Sequence, residues 1–140
     1  MEKIFEIEFR AVVEFHGEIS RYNQWAYGYL STSLSGRFFY IWEKDGKKTE
    51  VRKDSIGQYT NGKLNGQKIY QGDLIKVNQH FDGDCLVQEA VYEVVHEEFE
   101  FFCRNENDCY LSLSDVIYNH GGEIVGKIYF NNLMIDKKKE

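Results

Sequence analysis

Four histidines, three cysteines and a group of glutamates are the residues with which this chain could do chemistry. His16, His80, His96 and His120 stand far apart, whereas zinc sites present paired ligands at short spacing. His96-Glu97-Glu98-Phe99-Glu100 begins like a metalloprotease helix motif but lacks its second histidine. Cys103 and Cys109 have five residues between them and no second pair, so free thiols are expected rather than a metal knot. Cys85 lies five positions from His80. Those types suit a nucleophile and its base, but sequence separation does not orient them. Glu93, Glu97, Glu98 and Glu100 supply carboxylates of the kind used in acid–base work. The turn expected among them breaks any alignment by strand alternation, so solvated side chains are expected. Asp82-Gly83-Asp84 lacks the further oxygen ligands and closing glutamate of a calcium loop and reads as a hairpin turn. The glycine-rich run Ile56–Val77, IGQYTNGKLNGQKIYQGDLIKV, has neither the spacing of a phosphate loop nor a following helix. No catalytic residue, metal or cofactor is expected, and the chain is not expected to be an enzyme.

The remaining chemistry is aromatic. Ten Tyr, ten Phe and two Trp occur in 140 residues. Trp25, Tyr27 and Trp42, with Tyr29, Phe38, Phe39 and Tyr40 around them, are the residues on which bases of a single-stranded nucleic acid could stack. Aromatics on strands also fill sheet-faced cores. Charge separates along the chain. Residues 1–77 carry 12 Lys/Arg against 10 Asp/Glu, and residues 78–140 carry 5 against 13, giving the overall net charge of −6. No basic stripe is visible, so duplex DNA is not an expected partner. The acidic half reads as a solubilising surface or as a face for a basic partner protein.

The elements that must position these residues read as β-strands. Alternation from Phe5 through Phe9 predicts a half-buried strand extending towards Phe15. Trp25, Tyr27 and Tyr29 alternate with Ala26 and Gly28, where the glycine leaves room for a neighbouring aromatic or a bulge. Arg37–Trp42, RFFYIW, predicts a strand buried on both faces. Asp45-Gly46 signals a hairpin returning through Lys48–Lys53 with Val51 inward. Asn61-Gly62 and Asn65-Gly66 each signal a turn, and Gly72-Asp73 another, with strands over Lys68–Tyr70 and Leu74–Val77. Further strands are expected over Ala90–Val95, Phe99–Cys103 and Ile124–Phe130. Ser112 and Ser114 are candidate caps of one short helix that ends at Gly121-Gly122. His16-Gly17-Glu18 is a further turn candidate. Short strands with frequent turn signals predict a mainly β sandwich or barrel with at most one short helix. The N-terminal residues do not resemble a secretion signal, and no stretch has the apolar length of a membrane span. A soluble, cytoplasmic protein that meets no membrane is expected.

The run IGQYT followed by NGQKIYQGDLIKV resembles the signature of the YopX family of phage and prophage proteins. Ile7–Val12 (IEFRAV), Gln24–Leu30 (QWAYGYL) and Ile124–Asn131 (IVGKIYFN) are similar to that family's opening, second and closing strand motifs. The family motif falls on Gly57, Gln58, Tyr59, Ile69, Tyr70, Gly72 and Asp73. Asn61-Gly62-Lys63-Leu64 is shorter than the family's loop, Gln71 replaces its usual Glu, and Lys127 its usual Asn. The resemblance implies a small mainly β fold of bent antiparallel sheets forming a pseudo-barrel of SH3-like or PRC-like flavour. One such domain over residues 1–136, followed by a charged tail at 137–140, is the expected organisation. The implied setting is a bacterial cytoplasm. The implied role is a non-enzymatic binding or regulatory accessory to an unknown host or phage protein, with homo-oligomers among the implied states. No cofactor or catalytic residue carries over.

Overall fold

The computed structural model describes residues 5–14 and 24–128. The turn candidate at residues 16–18, the end of the last expected strand and the tail at 137–140 lie outside them. The fold is mainly β, built from antiparallel sheets with one short helix. Contacts divide the chain into two compact units, Met1–Tyr59 and Thr60–Glu140.

In the first unit the sheet runs β4-β3-β2-β1-β5. Its strands are β1 (Phe9–Val12), β2 (Trp25–Thr32), β3 (Phe39–Trp42), β4 (Lys48–Val51) and the first residues of β5 (Gly57–Leu64). Ala11, Val13, Ala26, Ile41 and Val51 meet on the inner face, with Phe9, Leu30, Phe39 and Ile56 packed against them. One isolated bridge, Val13↔Val51, joins the far ends of β1 and β4. It is flanked by bonds from Glu14 N to Glu50 O and from Arg52 N to Val12 O, both 2.9 Å. The sheet is therefore bent back on itself, but among the described residues it does not close as a barrel. The Asp45-Gly46 hairpin forms as expected: Lys47 N donates to Asp45 Oδ1 at 2.9 Å, and Val51 is inward and buried.

Two expectations fail in this unit. The alternation from Phe5 does not make a strand of that length, because the ladder with β2 begins only at Phe9↔Gly28. RFFYIW is not buried on both faces: Ile41 is buried, Tyr40 half-buried and Trp42 exposed. The run looks continuous because its outward positions also carry aromatics, which hides the period of two.

The second unit has a five-stranded sheet, order β12-β11-β10-β7-β13. These strands are β7 (Asp73–Val77), β10 (Ala90–Glu97), β11 (Glu100–Arg104), β12 (Tyr110–Ser112) and β13 (Gly122–Lys127). The hairpin β8 (His80–Asp82) and β9 (Cys85–Val87) turns at Gly83-Asp84. The core gathers Leu64, Ile69, Ile75, Val77, Tyr92, Val94 and Cys103 with Leu113 and Val116. The helix α1 (Leu113–Asp115) supplies Leu113 and continues as a π-helical turn, Val116–His120. Ser112 caps it by accepting from Asp115 N at 3.1 Å. Gly121 ends it at φ 75°.

Of the two Asn-Gly signals only the second makes a turn, between β5 and β6 (Gln67–Tyr70). Asn65 and Gly66 adopt φ 55° and 80° and connect the strands. Asn61, at φ 67°, sits inside β5. There the Thr60 hydroxyl donates to Ile69 O at 2.8 Å and accepts from Gly62 N at 3.1 Å. That side chain carries the strand through the irregularity and cancels the turn.

Candidate aromatic binding face

Period-two alternation aims Trp25, Tyr27 and Tyr29 of β2 to the same side, away from the core. Register brings others to the same side: Arg10 stands opposite Tyr27, Trp42 opposite Tyr29 and Tyr40 opposite Ser31, and Lys48 opposite Trp42. This side of the sheet is thus a patch of aromatics interleaved with two cations, Arg10 buried and Lys48 exposed. The Arg10 guanidinium lies 4.8 Å from the Trp25 ring centroid. Lys48 Nζ lies 4.3 Å from the Tyr40 centroid and 5.7 Å from that of Trp42. These are cation–π distances.

The patch is not uniformly open. Tyr29 is 67 % exposed, Trp42 43 % and Tyr27 42 %, whereas Trp25 is half-buried and Arg10 against its ring is buried. Of the stacking residues expected from the sequence, the structure therefore places Tyr27 and Trp42 on an accessible face. Tyr29, named with them in the sequence, is the most exposed of the three. Phe39, by contrast, points into the core.

Gly28 makes the Tyr29–Trp42 pairing possible. A Cβ on Gly28 would lie 1.9 Å from the Trp42 carbonyl oxygen. The space left by this glycine is filled by the backbone of β3, not by an aromatic ring. Beyond Phe9↔Gly28 the chain leaves the ladder, and Phe5–Glu8 forms one wall of a groove of about 650 Å³. The opposite wall is Tyr29 and Trp42, and the β3–β4 turn closes the end with Glu43, Lys44 and Gly46. Glu43 is fixed by a bond from Thr49 Oγ1 to its Oε2 at 2.7 Å.

The family-motif residues occupy structural positions. Gly57 and Gln58 pair with Arg10 and Phe9, and Tyr59 N donates to Glu8 O at 2.8 Å. Ile69 and Tyr70 are buried. Asp73, also buried, accepts from Tyr70 N at 2.8 Å and so locks the turn. Gly72, at φ 92°, donates to Val94 O and accepts from Ile128 N, tying the turn to two further segments of the second unit.

A cavity of about 490 Å³ in the second unit brings together residues that are remote in sequence, among them His80, His120, Cys109, Asp82 and Asp115. The His80 and His120 rings stack at 3.8 Å. His80 Nδ1 lies 2.9 Å from Asn78 O. A carbonyl only accepts, so Nδ1 carries the proton, and Nε2 is buried without a hydrogen-bond partner. Nothing in the sequence signals this stack, since its partners lie in a hairpin and a helix end that meet only on folding. Among the described residues no hydrogen bond joins Cys109 to either ring, and no three side chains are grouped to hold a metal ion. Cys103 is buried in the core, where desolvation pushes its thiol up to about 12.

On the outer face of the second sheet Arg104 reaches Glu93 at 3.7 Å and Glu97 at 3.4 Å. The Tyr110 hydroxyl donates to the same Glu97 oxygen at 3.1 Å. Burial raises the Glu93 carboxyl above its ordinary range, and Arg104 pulls the other way. Lys76 similarly spans Glu89 and Glu123. Among the described residues no helix is long and apolar enough to cross a membrane. No family model matches the chain, and no curated protein matches it either.

Proposed function

We propose that the protein is a non-enzymatic binding module, a phage- or prophage-derived accessory acting on a partner protein in a bacterial cytoplasm. Its binding surface is the outward aromatic face of the first unit. The observation that carries this reading is the pairing of exposed Tyr29 with Trp42 beside a groove. Large aromatics concentrated on an accessible face are the anchors on which protein interfaces depend. The YopX-like motifs support the phage origin, and the structural positions of Gly57, Tyr59, Gly72 and Asp73 agree with a motif that builds the fold and leaves the ligand to the surface. Immobilised full-length chain should retain a specific protein from host lysate, and the doubly substituted Tyr29→Ala, Trp42→Ala chain should lose it. Equal retention by both chains would contradict the reading.

Single-stranded nucleic acid is the second reading, favoured by Tyr27, Tyr29 and Trp42 sharing one face with Lys48. A salt-sensitive shift of a labelled single strand that needs the same two aromatics would select it.

A further inference from the structure

We infer that an extended segment of the partner protein adds as a strand to the open edge of β2 at Leu30–Thr32, in the line that β1 vacates. This rests on reading the first unit as a protein-binding module and narrows it to the backbone chemistry of the segment that docks.

The strand β2 changes neighbours half-way. Trp25–Gly28 pairs with β1, and Tyr29–Thr32 pairs with β3. In an antiparallel ladder alternate residues turn their N–H and C=O to the same neighbour. Val13 N donates to Gln24 O, so the even-numbered residues of β2 face the β1 side. Ser33 N donates to Phe38 O, so the odd-numbered residues face β3. Leu30 and Thr32 therefore aim their backbone groups along the line of β1, but that ladder ends at Phe9↔Gly28. The chain before Phe9 stays with β5 instead, where Glu8 O accepts from Tyr59 N at 2.8 Å. Among the described residues no backbone group pairs with Leu30 or Thr32 on that side. The groove lined by Gly28, Tyr29 and Phe5–Glu8 opens where the two strands part.

Donors and acceptors alternating along one edge match another extended backbone, which answers each N–H with a carbonyl and each C=O with an N–H. A helix uses its backbone groups internally. The phosphates of a DNA strand only accept, and would leave the Leu30 and Thr32 carbonyls unanswered. Neighbouring side chains set the composition of the segment. Leu30 packs with the inner cluster yet is only half-buried, so the residue opposite it is apolar. Tyr29-Leu30-Ser31-Thr32 carries no charge, so an uncharged, β-branched segment fits the pairing.

The test uses the full chain and two capped pentapeptides, acetyl-Thr-Val-Thr-Val-Thr-amide and its counterpart with both valines N-methylated. The readouts are NMR shift and hydrogen exchange of the backbone amides. In the free chain Leu30 and Thr32 should exchange about 10-fold or more faster than Tyr29 and Ser31, which β3 holds. The first peptide should shift Leu30 and Thr32 saturably and slow their exchange. The N-methylated peptide keeps the side chains, loses the donors and should bind about 10-fold more weakly. Thr32→Pro removes an N–H on the open edge and leaves the β3 ladder its donors. It should weaken the peptide and the lysate partner about 3- to 10-fold, with Thr32→Val restoring both and the tryptophan unfolding transition showing that the proline variant folds.

Slow exchange of Leu30 and Thr32 in the free chain would overturn the inference, as would equal binding of the two peptides. Protection that appears only as the chain is concentrated would give the edge to a second copy and remove the partner segment. If retention of the lysate partner ignores Thr32→Pro but still depends on Tyr29 and Trp42, strand addition falls and the binding face stands. If retention is indifferent to all three residues, both fall.

Discussion

The outward faces of the two sheets treat charge in opposite ways. On the second unit Arg104 is held between Glu93 and Glu97, and Lys76 between Glu89 and Glu123. The four carboxylates outnumber these two cations, and each of the two is already spanned by acids of its own face. On the first unit Arg10 and Lys48 lie on aromatic rings, and Tyr29 and Trp42 keep much of their surface exposed. Exposed ion pairs contribute little energy and are screened by salt. Exposed aromatic area is lost only when something covers it. The acidic face therefore reads as a self-contained surface, whereas Tyr29 and Trp42 keep aromatic area that a partner could cover.

The largest expected effect strikes the first unit alone. Gly28→Ala drives a methyl group into the Trp42 carbonyl, 1.9 Å from the ideal Cβ. Backbone cannot step aside as a flexible side chain does, so a loss of about 3 kcal/mol or more is expected. Both tryptophans lie in this unit, so their fluorescence reports its unfolding. Buried Cys103 reports on the second unit, because a thiol raised to about 12 is protected until the core opens. At pH 8 a thiol reagent should label exposed Cys85 and Cys109 quickly in wild type and Cys103 only on unfolding. Gly28→Ala should advance the tryptophan transition. Unchanged melting would show that β2 and β3 separate without cost.

The converse substitution is Asp73→Ala in the second unit. It leaves Tyr70 N–H without its 2.8 Å acceptor and should cost about 1–3 kcal/mol. Earlier labelling of Cys103 checks it, and an unmoved labelling midpoint would deny Asp73 its role in the turn.

A smaller effect depends on pH. The folded pKa of Glu93 is raised, first by burial, with Arg104 opposing. Its neutral form is thus favoured in the folded state. Stability from this group is present below the ordinary carboxylate pKa and falls as pH rises through the raised value. Glu93→Gln should flatten denaturation midpoints across that window. A wild-type midpoint that climbs there, with the variant flat, would reverse the assigned cause.

Much of the frame was legible because local rules were not overruled. Asp45-Gly46, Asn65-Gly66, the Ser112 cap and inward Val51 follow from turn chemistry, capping and alternation. Where reading failed, tertiary context intervened. Thr60 carried β5 through Asn61-Gly62. Phe5–Glu8 left the ladder and became a groove wall. Aromatics on both sides of β3 disguised an open face as a core strand. Alternation placed Trp25, Tyr27 and Tyr29 together, but only the register with β3 pairs Tyr29 with Trp42. The His80–His120 stack, 40 positions apart, left no local pattern at all.

The smallest effect on stability should accompany the largest effect on binding. Trp42→Ala and Glu93→Gln change one residue on each outward face. Retention of the lysate partner by the immobilised full-length chain, measured for both variants beside wild type, tests the contrast most directly. Trp42→Ala is expected to weaken binding about 10-fold or more, as loss of an aromatic anchor does, with the unfolding transition of its own unit, read from the remaining Trp25, little changed. Glu93→Gln is expected to leave affinity as it was. Binding that survives Trp42→Ala and falls with Glu93→Gln would move the binding surface to the acidic face and contradict the account.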